Sequence, residues 1–91
     1  MSDKRISFKV DGEVQGVNFR SSTQKEAKNI GVTGFVLNAS DGTVQGEAQG
    51  TADQVNEFIQ YLNKGPSAAS VSGVKHNDIS VKSGESSFNV K

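Results

Sequence analysis

The chain has 91 residues, about a third of them apolar, with ten basic and ten acidic side chains and no cysteine. That length suits one domain with one modest hydrophobic core. A formal net charge of zero argues against non-specific nucleic-acid binding, which depends on Lys and Arg neutralising phosphates. No apolar run approaches the ~20 residues needed to span a bilayer, and the start Met1-Ser2-Asp3-Lys4-Arg5 has no apolar signal core. The lack of cysteine excludes disulfides, thiol catalysis and thiolate metal sites, and it suits a reducing cytoplasm.

Ile6, Phe8 and Val10 alternate with Ser7, Lys9 and Asp11, the period of a half-buried strand. Two glycines, Gly12 and Gly16, predict a loop after it. Beyond Arg20 the pattern turns helical. Ser21, Ser22 and Thr23 are the N-cap candidates, and Thr23, Ala27 and Ile30 fall on one helical face. Gly31 suits the C-cap, where a positive φ is needed.

Thr33 to Asn38 reads as a second strand, with Phe35 and Leu37 on one side and Val36 and Asn38 on the other. Ser40-Asp41-Gly42 makes a turn, and Thr43 to Gln49 returns as the other arm of a hairpin. Val44, Gly46 and Ala48 share one face, and their small size predicts a closely packed helix over it. Thr43, Gln45, Glu47 and Gln49 would be exposed. Thr51-Ala52-Asp53-Gln54 is a capping-box sequence. Val55, Phe58, Ile59 and Leu62 follow as an amphipathic stripe, stopped by Gly65-Pro66. Ser67 to Gly73 is expected to be a connecting loop and Val74 to Lys82 a strand. A turn at Ser83 to Ser86 and a short strand through Phe88 and Val90 complete the chain.

This order, β-α-β-β-α-β, predicts an α+β ferredoxin-like sandwich, an antiparallel sheet with two helices on one face. Residues 1–91 are expected to form a single domain. Many activities share that fold, so the site must carry the function.

Two places can carry chemistry. The loop Gln15-Gly16-Val17-Asn18-Phe19-Arg20 joins a strand to a helix. Backbone N–H groups in such a loop can form an anion nest, reinforced by the positive helix start. Gly16 permits close approach, and the forked guanidinium of Arg20 can clamp phosphate oxygens. Asn38, at the end of a strand, has an amide able to hold a water molecule. His76 lacks the convergent ligands of a metal site, and it is expected to form a surface pair with Asp78.

The runs Gly12-x-Val14-Gln15-Gly16-Val17-x-Phe19-Arg20 and Gly34-Phe35-Val36-Leu37-Asn38-x-x-x-Gly42-x-Val44, closing at Gly50, resemble the two signatures of the acylphosphatase family. The likeness continues through Gln24-Lys25-Glu26-Ala27, Lys64-Gly65-Pro66 and Phe88-x-Val90. It implies hydrolysis of small-molecule acyl phosphates, with inorganic phosphate as product and competitive inhibitor. It places the catalytic roles on Arg20 and Asn38 and the phosphate-binding loop on Gln15 to Arg20. No cofactor, metal, nucleic-acid partner or membrane is implied, and a monomer is expected. Leu37, Ser21 and Ser22 depart from the residue types frequent in the family, which bears on substrate preference.

Two rivals share the fold. One is a non-catalytic anion-binding or interaction module. The other is an RNA-recognition domain, which stacks bases on aromatic residues of its central strands; the strand Thr43 to Gln49 has none.

Overall fold

The computed structural model describes residues 3–16, 18–66 and 69–91. The elements run β1 (Lys4–Glu13), α1 (Phe19–Ile30), β2 (Thr33–Asn38), β3 (Val44–Gly50), α2 (Ala52–Lys64), β4 (Ser70–Ile79) and β5 (Phe88–Val90). They form one five-stranded sheet in the order β4-β1-β3-β2-β5. The pairs β1–β3, β1–β4 and β2–β3 are antiparallel, as expected. β5 adds a parallel pair along β2, so the complete sheet is mixed.

The register places Ile6 opposite Ala48, Phe8 opposite Gly46 and Val10 opposite Val44. Directly paired residues share a face, and these line the side covered by the helices. The amphipathic stripe of α2 meets them: Val55, Phe58 and Leu62 are fully buried, with Ile59 packed at the margin. The Phe58 ring lies 5.5 Å from Phe8 and 5.6 Å from Phe88, tying α2 to β1 and β5. From α1, Phe19, Thr23 and Ala27 are buried. The open side of the sheet carries a shallow concavity of about 370 Å³, bordered by Lys9, Phe35, Leu37 and Lys75 among others.

Several expectations need correction. β1 continues through Gly12 instead of entering a loop there. Gly12, at φ 129°, takes up a register shift against β4, and a side chain there would strike the Ser70 carbonyl. The bulge lets the strand bend and go on pairing, so β4 begins at Ser70, inside the expected loop. Ser67 and Ala68, also in that loop, lie outside the described residues. β4 ends at Ile79, before the half-exposed Val81. Beyond it, the Gln49 side chain holds the Lys82 backbone through both its N–H and C=O, at 2.8 Å each.

Thr43 and Gln49 are buried instead of exposed. Phe35 is only half-buried, on the open face, where the Lys91 ammonium sits 4.2 Å from its ring centre. Asp78 pairs with Lys4 at 3.7 Å, and His76 is exposed.

Candidate active site

The first helix starts at least three residues earlier than the Ser-Ser-Thr sequence suggests. Its N-cap is Asn18, in the left-handed region at φ 59° and ψ 24°, and no side chain caps it. Asparagine tolerates this region better than most residues. Gly16, at φ 77°, also has positive φ. An uncapped helix start therefore lies beside the end of β1. Such a start presents unpaired N–H donors and a partial positive charge to whatever approaches. Ser21, Ser22 and Thr23 fall within the helix, and Ser21 faces the same approach.

β2 brings the second component. Asn38 pairs with Val44, and its neighbours Gly34 and Val36 pair with Ala48 and Gly46. Asn38 therefore lies on the helix-covered face, at the strand end nearest the start of α1. Leu37 points to the opposite, open face and borders the concavity there. Of the three departures noted in the sequence, Ser21 is at this site, whereas Leu37 is across the sheet from it.

A cavity of about 180 Å³ joins these parts. Gly16, Asn18, Arg20, Ser21 and Asn38 line it, with Val14 and Val90 as its apolar wall. Arg20 is half-buried, and its Nη1 donates to the backbone carbonyl of Lys91 at 3.1 Å. That contact steadies one arm of the fork from the far end of the chain. The Lys91 N–H in turn donates to the Val36 carbonyl at 2.8 Å, holding this end of the chain against β2. Within the described part of the expected loop, Gly16, Asn18, Phe19 and Arg20 thus meet Asn38. Val17 lies outside the described residues.

Gln15 behaves differently from the expectation. It is exposed, and its Nε2 donates to the carbonyls of Ala39 and Thr43, both at 2.9 Å. The contributions of Val90 and the Lys91 carbonyl were not legible in the sequence. A short apolar pair near the end of a chain signals a strand, but only the parallel pairing with β2 brings it to the cavity.

Asp41, in the turn beyond Asn38, is perturbed by its surroundings. The Thr43 hydroxyl and backbone N–H both donate to it, and Lys9 lies 3.2 Å away. These interactions hold its carboxyl at about 2, with the Thr43 hydroxyl the largest influence. The turn following Asn38 is therefore anchored by a carboxylate that stays ionised. Among the described residues no group of three or more His, Asp or Glu side chains is arranged to hold a metal ion, and no helix is long and apolar enough to cross a membrane.

Comparison with known proteins agrees with this geometry. The acylphosphatase family model matches residues 6–90. An acylphosphatase of Salinibacter ruber is 42% identical over 73 residues, covering 80% of this chain and 77% of its own. The solved acylphosphatase of Coxiella burnetii superposes with a TM-score of 0.91 at 39% identity, covering 97% of this chain and 92% of its own. That of Bacillus subtilis gives 0.93 at 28% identity, covering 98% and 99%. The match extends across both strand ends that meet at the cavity and across β5, which walls it. The chain belongs to the acylphosphatase family.

Proposed function

We propose that Arg20 and the loop from Gly16 onward bind the phosphoryl group of an acyl phosphate, and that Asn38 places the water that attacks it. The observation carrying this reading is the single cavity lined by Gly16, Asn18, Arg20 and Asn38. Hydrolysis of acyl phosphates is the activity of the family to which the chain belongs. The assignment of residues follows from what that reaction requires.

The leaving group is a carboxylate, whose conjugate acid has a pKa of about 4. It departs with the electron pair of the P–O bond and needs no strong acid to protonate it. The water oxygen forms the new P–O bond, and the proton it loses passes to phosphate or solvent. What remains is positioning and the neutralisation of charge on the phosphoryl oxygens. Backbone N–H groups at the helix start and the Arg20 fork provide the charge complement. Asn38 is too weak a base to deprotonate water, but its amide can accept from or donate to one and so orient it. This equipment suits an activated anhydride and would serve poorly against an ester with an alkoxide leaving group.

Residues 1–91 act in this reading as one catalytic domain with no cofactor. The absence of cysteine suits a reducing cytoplasm, and the family likeness makes a monomer the expected state.

Steady-state hydrolysis of benzoyl phosphate, with and without a chelator, tests the assignment. The native chain should turn over equally in both. Arg20→Ala should lose affinity for inorganic phosphate as a competitive inhibitor. Asn38→Ala should lose about 10²–10³ in turnover, the scale seen when one positioned catalytic group is removed, while phosphate still binds. Native turnover in Asn38→Ala would remove the role given to that residue. Phosphate binding without any turnover in the native chain would favour the non-catalytic anion-binding module.

A further inference from the structure

Gln15 does not line the cavity formed by Gly16, Asn18, Arg20 and Asn38, yet its side chain ties the two halves of the site together. Its Nε2 donates to the carbonyls of Ala39 and Thr43 at 2.9 Å each. Those carbonyls already close the turn after β2: the Ala39 N–H donates to the Thr43 carbonyl at 2.9 Å, and the Gly42 N–H to the Ala39 carbonyl at 3.3 Å. One amide nitrogen thus bridges the mouth of the turn with both its hydrogens engaged. Both partners are acceptors, so the nitrogen and not the amide oxygen must face them.

Ala39 follows Asn38 directly, and Gln15 precedes Gly16 directly. The bridge therefore links the residue beside the water-placing group to the residue at the base of the phosphate loop. No other side-chain hydrogen bond among the described residues joins residues 14–20 to residues 38–43. Attack on phosphorus requires reacting atoms about 3–3.5 Å apart and aligned, and displacement by about 1 Å can cost a hundredfold in rate.

We propose that Gln15 is a positioning residue: it fixes Asn38 relative to the bound phosphoryl group without itself touching substrate. The inference rests on the roles given above to Arg20 and Asn38. It separates two functions of the loop. The cavity-facing residues bind phosphate, whereas Gln15 sets the distance from that phosphate to the nucleophile. Glutamate at this position would keep the shape but, when ionised, would turn an acceptor toward two carbonyl oxygens.

The test uses the full chain with Gln15→Ala, Gln15→Glu, Asn38→Ala and the double variant Gln15→Ala/Asn38→Ala. The readouts are kcat for benzoyl phosphate and the inhibition constant of inorganic phosphate. Both Gln15 variants should lose about ten- to a hundredfold in kcat, while inhibition by phosphate stays near the native value. That inhibition also reports that the site is folded. In the Asn38→Ala background the Gln15→Ala change should cost little more, because the group it places is already gone. Native kcat in both Gln15 variants would overturn the proposal. So would weakened phosphate inhibition with kcat unchanged, which would make Gln15 part of the phosphate site. Full multiplication of the two losses in the double variant would also overturn it. Native activity in Asn38→Ala would instead defeat the underlying assignment, and it is read from that variant alone.

Discussion

At Gly46 the missing side chain decides how three strands meet. A Cβ there would run into the Phe35 carbonyl and come within 2.8 Å of the Phe8 ring. The space above the glycine is filled by Phe8, its direct partner on β1, and the Phe8 ring passes the contact on to Phe58 of α2. Gly46→Ala should therefore destabilise the fold by about 2 kcal/mol, the usual scale of overpacking, read as a lower urea midpoint with an unchanged slope. The small residues of β3 correctly marked its helix-facing side. What they make room for was not legible, because alternation reports the face of a side chain and not the neighbour that crosses it. The same limit applies to Asn18. Serine and threonine carry the usual capping signal, yet the left-handed Asn18 starts the helix before them.

Among the elements, α2 was the most legible. Its start is a full capping box: the Thr51 hydroxyl accepts from the Gln54 N–H at 3.2 Å, and the Gln54 side chain accepts from the Thr51 N–H at 2.9 Å. Its buried stripe follows the sequence period. Thr51→Ala should cost about 1 kcal/mol. Because Thr51 does not border the site cavity, the variant should lower the melting temperature while leaving kcat for benzoyl phosphate at the native value. β4 was least legible. It lies at a sheet edge with most of its residues exposed, so its alternation is weak, and Gly73 resembles a turn. Its limits come from β1 across the bulge, a contact between residues 57 to 74 positions apart in sequence. β5 was visible as a strand, but its parallel direction and its place at the cavity depend on β2.

For the whole molecule, Arg5 links separated parts of the chain. Its side chain is 2% exposed and meets Glu47 at 2.8 Å and Glu85 at 2.7 Å. Its Nη1 also donates to the Gln49 side-chain carbonyl at 3.1 Å. The sequence offered no sign of this cluster, since a lone arginine in an alternating strand reads as solvated. Burial pushes the Glu85 carboxyl up, but the hydrogen bond and charge of Arg5, aided by Thr33 and Lys82, together outweigh it and hold the group below its ordinary value. A carboxyl lowered on folding stabilises the native state above its unfolded pKa, and that stability is lost as pH falls through the folded value. Denaturant midpoints should therefore decline as pH drops below about 4.5, the ordinary value of the group. Asp41 should extend the loss toward its folded value of about 2. Glu85→Gln should be less stable than native at neutral pH and show a shallower decline in acid. An equal decline in both chains would show that the Arg5–Glu85 pair does not carry this dependence.

The interior position of β1, flanked on both sides, has a consequence for how the chain assembles. Both of its ladder partners, β3 and β4, come later in the sequence and are separated from it by whole helices. Neither edge of β1 can be satisfied by a local hairpin. Long segments must close before those contacts form, which places this topology toward the slow end for small domains. Until β3 and β4 arrive, an alternating apolar strand has two open edges, the arrangement most prone to pairing with another chain. The strand that organises the finished sheet is thus the one most exposed while folding is under way.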